Sequence, residues 1–186
     1  MDMSTKREQL VETALKLFYR DGIHSTGIDK VLKESGVAKM TLYNHFKSKE
    51  ELIAATLELQ DEKFNGIVNA EVKKHTKPLN KLFAIFDALD VWFHGEAYRG
   101  CYFINTVAEM GKIKGPLLHL CQKHKKELTA QITSYLKEGG ARNVALLSKQ
   151  IAILIEGAIV QSQVMGELNA AMDAKSAAKV LLKNQS

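Results

Sequence analysis

The chain has 186 residues, 46% of them hydrophobic, which is enough to bury a core as one domain of ordinary size or two small ones. Its net charge of +5 suits a polyanionic partner, but residues 1–50 hold nine Lys or Arg against seven Asp or Glu, so any case for nucleic acid rests on placement rather than excess. The two cysteines, Cys101 and Cys121, are too few for a disulfide framework and read as buried thiols.

The opening Met-Asp-Met-Ser-Thr-Lys-Arg-Glu has no apolar run behind its charges and is not a secretory signal. Thr5-Lys6-Arg7-Glu8 reads as a capping box, and Val11, Ala14, Leu15 and Phe18 recur at helical spacing until Gly22. This first helix gives the next two, both short, an apolar wall, with Lys6 and Arg7 as solvated charges or phosphate neighbours.

Residues 26–52 form the stretch around which the chain is organised. Thr26, with Asp29 three residues on, opens a short helix with Ile28, Val31 and Leu32 on one side. Gly36 ends it, so Ser35-Gly36-Val37 reads as the turn of a helix-turn-helix. The second helix, about Lys39 to Phe46, turns Leu42 and Phe46 inward with Val37. At about 100° per residue, Lys39, Met40, Tyr43 and Asn44 gather on another side. An α-helix fits the DNA major groove, where Asn pairs with an adenine edge, Lys with guanine or phosphate, and a Met side chain meets a thymine methyl. Thr41, Tyr43 and His45 suit phosphate oxygens. Ser48-Lys49-Glu50-Glu51 is a further capping box that puts Lys49 in the first turn of a third helix, as a second phosphate clamp.

Thr26, Gly36-Val37, Thr41-Leu42-Tyr43, His45-Phe46 and Ser48-Lys49-Glu50-Glu51-Leu52 together resemble the DNA-binding signature of the tetracycline-repressor (TetR) family of bacterial transcription regulators. Three positions depart from it: Leu32 stands for a small Ala, Ala38 for a capping Ser or Thr, and Met40 for a frequent Gly. The resemblance implies a homodimer that binds a palindromic operator in double-stranded DNA, answers to a small-molecule effector, and needs no cofactor; it adds Thr26 to Lys39, Met40, Thr41, Tyr43, Asn44, His45 and Lys49 as the expected DNA-binding residues.

Beyond the motif, apolar positions from Leu52 to Val68 predict one long helix over 49–73, ended by Thr76-Lys77-Pro78. Further helices are predicted over 79–93, 101–111, 116–139, 144–166 and 173–182, the last with Asp173 as its cap. The expected fold is all-α with about nine helices: a helix-turn-helix domain over 1–48 and a helical ligand-binding and dimerisation domain over 49–186. The most apolar stretch, Ile151 to Val160, is interrupted by Glu156 and reads as too short for a bilayer. A cytoplasmic protein without membrane contact is expected.

Aromatic residues concentrate over 83–103, where the core reading is the default for any one of them. Family members bind small molecules between the helices of this half, and the resemblance makes Phe86, Trp92, Phe93, Cys101, Tyr102, Asn105, His119 and Gln161 the candidate lining for an apolar or aromatic compound. His119, Cys121 and His124 do not share a helix face and read as no metal site. Ile151, Leu154, Ile155, Ala158 and Ile159, with Ala174, Ala177, Ala178 and Leu181, cover more helix surface than one core uses and are the expected dimer contact. No nucleophile elbow, phosphate loop or HExxH sequence is present, so no enzyme is expected. The alternatives are a helical small-molecule binder that does not touch DNA, and a redox sensor using Cys101 and Cys121.

Overall fold

The computed structural model describes residues 3–111 and 114–183. These form α1 (Met3–Asp21), α2 (Ile28–Ser35), α3 (Lys39–His45), α4 (Lys49–Val72), α5 (Pro78–Phe93), α6 (Tyr102–Met110), α7 (Pro116–Glu138), α8 (Val144–Met165) and α9 (Ala170–Lys183). Among the described residues there are nine helices and no strand, as the periodicity predicted. The chain divides into two compact units, Met1–Lys63 with Cys101–His124, and Phe64–Gly100 with Lys125–Ser186.

In the first unit α1 packs on both short helices. Leu10, Ala14, Leu17 and Phe18 are buried along it, and Val31, Val37, Leu42 and Phe46 are buried in the motif it supports. Gly36 has φ of 64°, in the left-handed region, and its N–H returns to the Leu32 carbonyl, so the predicted stop is formed by the residue that adopts it at least cost. The Gln9 side chain supplies a second cap from outside, donating to the Ser35 carbonyl at 2.8 Å. At the next boundary Ser48 Oγ accepts from the Glu51 N–H, while the Glu51 carboxylate reaches back one residue beyond the usual box, to the Lys47 N–H.

Helix α6 also belongs to this unit. Tyr102 is buried, its ring set edge-on to Tyr19 of α1 and its hydroxyl 2.9 Å from Thr56 Oγ1 of α4. Thr56 Oγ1 donates its single proton to the Ile53 carbonyl at 2.7 Å, so Tyr102 must be the donor to Thr56. Burial, only partly offset by this bond, pushes the Tyr102 phenol far above its ordinary value, so it stays protonated. The arrangement makes an ordered prediction. Tyr102→Phe removes donor and bond together and is expected to cost about 0.5–1.5 kcal/mol, whereas Thr56→Val leaves a buried hydroxyl without an acceptor and is expected to cost about 1–3 kcal/mol. Urea unfolding of both variants checks the order; a Thr56→Val protein as stable as the parent contradicts it.

In the second unit α8 packs on α9 and α5, and α5 on α9. Leu82, Ile85, Phe86 and Leu89 of α5 and Ile151 and Ile155 of α8 are fully buried. Trp92 meets Tyr98 and Phe64 edge-on, with ring centroids 4.9 and 5.4 Å apart.

Four sequence expectations change at the boundaries. The cap of α2 is Gly27 rather than Thr26, because Thr26 turns inward. Thr5 lies inside α1 rather than at its start. Helix α9 begins at Ala170, which leaves Asp173 in the first turn rather than at the cap. The apolar stretch of α8 is part of a 22-residue helix, long and apolar enough to cross a bilayer by length and composition, so the expectation of a stretch too short to do so fails. A third of that helix's most apolar window is buried inside its own chain.

Candidate nucleic-acid interface

Four side chains of α3 stand out from the first unit. Met40 is 78% exposed and Tyr43 47%, and Lys39 and Asn44 are exposed beside them. Leu42, on the other side of the same seven-residue helix, and Phe46, the extended residue that caps it, are buried. The helix is therefore held by two apolar anchors and offers hydrogen-bonding groups on the remaining surface, as its spacing predicted. Thr41 lies half-buried at the edge. Lys39 Nζ is 3.7 Å from Asp29 of α2, a loose exposed pair that a phosphate could replace at little cost. Ala38 caps α3 without a side-chain hydrogen bond.

Three candidates are not presented in this way. Thr26 is 0% exposed, with Oγ1 enclosed and unbonded among the described residues, because the residue before the Gly27 cap points into the core. It is removed from the exposed set. His45 is half-buried beside Phe46, and its Nε2 is likewise enclosed without a hydrogen-bond partner, so that nitrogen is not offered to solvent. Lys49 folds back: its ammonium donates to the Ile23 carbonyl and sits 5.7 Å from the Phe18 ring centroid. Burial lowers its pKa, a shift opposed by nearby Glu109 and Glu50. In this arrangement Lys49 braces the motif rather than standing free as a clamp.

Two supports escape the sequence. The Arg7 guanidinium lies over the Phe46 ring at 5.3 Å, so the basic start of α1 packs on the motif. Lys30 Nζ of α2 is 2.9 Å from Asp21 at the end of α1. Arg20 and Lys30 together hold the Asp21 carboxyl well below its usual range. Arg and Lys at these positions are visible in sequence, but their partners are set by packing.

A family model described as bacterial regulatory proteins, tetR family, matches residues 10–56, and a tetracyclin repressor-like C-terminal domain matches residues 78–178. The chain belongs to the TetR family. It is 28% identical over 160 residues to the uncharacterized HTH-type transcriptional regulator YxaF of Bacillus subtilis, covering 84% of each chain. To the HTH-type transcriptional regulator LmrA of the same organism it is 26% identical over 166 residues, 87% of this chain and 88% of that one. Among solved structures, a TetR-family transcriptional regulator from Streptomyces coelicolor superposes with a TM-score of 0.88 at 26% identity, covering 100% of this chain and 96% of that chain. This TetR-family protein is accordingly a helix-turn-helix transcriptional regulator.

The eight expected effector residues of this regulator do not gather within either unit. Phe86 and Phe93 are buried in the α5 core, Trp92 is half-buried in the aromatic cluster, and Gln161 is exposed on α8. In the other unit Cys101 and Tyr102 are buried, Asn105 is half-buried and His119 is exposed on α7. Tyr102 is committed to Thr56, and exposed His119 and Gln161 line no interior surface. The first unit instead has a cavity of about 340 Å³ lined by Leu57, Glu58, Asp61 and Glu62 of α4, Phe103 of α6, and Leu120, Lys123 and His124 of α7. His124 stacks on Phe103 with ring centroids 3.8 Å apart and hydrogen-bonds Asp61 at 2.5 Å. Both cysteines are buried and not joined in a disulfide.

The residues expected at the dimer contact lie mostly inside the single chain. Ile151, Ile155, Ala158, Ile159, Ala174 and Ala178 are buried inside the chain itself, and Leu154, Ala177 and Leu181 are half-buried. Uncovered apolar residues lie elsewhere on α8, with Leu146 and Met165 near its ends and, between them, Ile153 (69% exposed), Val160 and Val164 (71%), which with Gly157 keep a spacing of four, three and four. Met172 and Val180 are exposed on α9. That spacing is the signal in the sequence, obscured by the greater apolarity of the neighbouring core face.

Proposed function

We propose that this regulator is a cytoplasmic homodimeric repressor that occupies a palindromic operator through α3 and is released by a small-molecule effector, without catalysis of its own. The observation that carries this reading is the α3 surface on which Lys39, Met40, Tyr43 and Asn44 stand exposed while Leu42 fixes the helix from behind. Asn44 is assigned a base edge, Lys39 and Tyr43 phosphate or base contacts, and Met40 a thymine methyl.

The dimer is supported by the uncovered stripe of Ile153, Gly157, Val160 and Val164. Its spacing fits an interhelical seam, and the glycine lets a second copy approach closely. A two-fold pair of reading helices matches half-sites about 34–36 Å apart. The effector is supported by the cavity of about 340 Å³, which has the volume of a small metabolite, although its lining mixes carboxylates with Leu57, Phe103 and Leu120 instead of being wholly apolar.

Selection of bound fragments from random duplex DNA tests the reading. Two inverted half-sites separated by one helical turn are expected. A pool that never enriches, or single unpaired sites, would overturn the operator and dimer together. Candidate metabolites titrated against the selected duplex should then displace the protein; an affinity unmoved by any of them removes the effector from the account.

A further inference from the structure

We infer that Glu109, far outside the DNA-binding motif in sequence, is a positioning residue for DNA binding, acting through the turn between α1 and α2. The inference rests on α3 being the helix that contacts DNA.

Three consecutive residues of that turn are each matched to another helix. The Glu109 carboxylate accepts from the His24 main-chain N–H at 3.0 Å. His24 Nε2 lies 2.6 Å from the Glu109 carbonyl oxygen, which can only accept, so this nitrogen carries the ring proton. His24 thus grips Glu109 by both main chain and side chain. One residue earlier, the Ile23 carbonyl receives the Lys49 ammonium from α4. Gly22 has φ of +89°, and a Cβ there would stand 3.1 Å from Glu109 Oε2. A side chain there would crowd the carboxylate and strain the backbone.

The consequence comes from the size of the reading helices. Helix α2 has eight residues and α3 seven, too short to hold their own geometry in water, so their orientation is imposed by whatever fixes their ends. The rear of the pair is fixed by α1. The entry to α2, four residues after His24, is fixed by α6, whose opposite end is anchored through Tyr102 on Tyr19 and Thr56. Side chains that read base edges lose their contacts when the supporting geometry is loosened by fractions of an ångström. A charge-assisted hydrogen bond at the entry therefore bears on affinity without touching DNA.

The test uses the full-length protein and the duplex recovered by selection. Glu109→Ala is expected to weaken binding about tenfold and to raise hydrogen exchange over residues 22–36 about tenfold, the loss of one such bond. The salt dependence of binding should be unchanged, since no phosphate contact is removed. Glu109→Gln keeps an acceptor oxygen for the His24 N–H and should recover most of both losses. Leu117→Ala, a cavity in the same unit at a buried α7 residue that belongs to neither the turn nor its anchor, serves as the control for mere destabilisation and should bind DNA as the parent does. The proposal is overturned if Glu109→Ala binds like the parent, if Glu109→Gln fails to rescue, or if Leu117→Ala loses as much affinity. A parent protein that ignores duplex DNA would fail the operator reading instead, and the exchange measurement would still decide whether Glu109 holds the turn.

Discussion

Tyr43→Ala combined with Asn44→Ala weakens operator binding by about a hundredfold, and leaves the unfolding midpoint near that of the parent. The first half of this expected result comes from chemistry in the groove. A well-placed Asn contributes about 1–3 kcal/mol of discrimination at its base pair, and a hydroxyl-to-phosphate bond about 1 kcal/mol more. Their sum spans roughly one to three decades in affinity at about 1.4 kcal/mol per decade. The second half comes from exposure: Tyr43 is 47% exposed and Asn44 is exposed, so neither removal opens the core behind Leu42. The single variants separate the roles. Asn44→Ala should relax preference at one base pair of each half-site, whereas Tyr43→Ala should weaken all sites alike. Fluorescence anisotropy on the selected duplex and its single-base variants reads both, and a double variant within about threefold of the parent would mean that α3 is not the reading element.

The second large effect concerns the pairing of subunits. Ile153→Asp with Val164→Asp is expected to yield a folded single subunit with operator affinity lower by about two orders of magnitude or more. Because these side chains are 69% and 71% exposed, aspartate at either stays hydrated in the lone chain and the fold persists. Across a two-fold seam each substitution appears twice, and a carboxylate buried there without a partner costs several kcal/mol. Loss of the second reading helix then removes the gain of linked binding, typically a factor of about 10²–10⁴. Ile151→Asp is the contrast, since Ile151 is 0% exposed and its charge should unfold the chain. Sedimentation velocity with anisotropy distinguishes the outcomes; a doubly substituted protein that still sediments as a dimer places the contact elsewhere.

How much of this is legible in the sequence depends on how local each cause is. The nine helices of the described residues, the Gly36 stop and the outward face of α3 arise from spacing within about ten residues, and each matches its expectation. Thr26 and Lys49 look DNA-facing in sequence because each sits where a short polar or basic residue serves that purpose. What turns them is distant in sequence: Lys49 answers to the Ile23 carbonyl and the Phe18 ring, neither visible from its own helix. The residues expected at the dimer contact are mostly buried within the single chain, for a physical reason. Ile151 and Ile155 are the most apolar choice on α8, and that is why the chain keeps them for α5 and α9, leaving the thinner stripe of Ile153, Val160 and Val164 uncovered. Most of the effector candidates group by closeness in sequence across 86–105, yet Gly100 and Cys101 mark where the chain passes from one unit to the other.

That crossing also sets an order of events at the ribosome. The reading helices are made first, but their unit incorporates Cys101–His124, with Tyr102 seated against Tyr19 and Glu109 against His24. At about 5–20 residues per second, several seconds of translation separate the synthesis of α3 from the arrival of α6. The nascent motif spends that interval without one of its walls, and a fragment cut after the motif would be left in the same condition permanently.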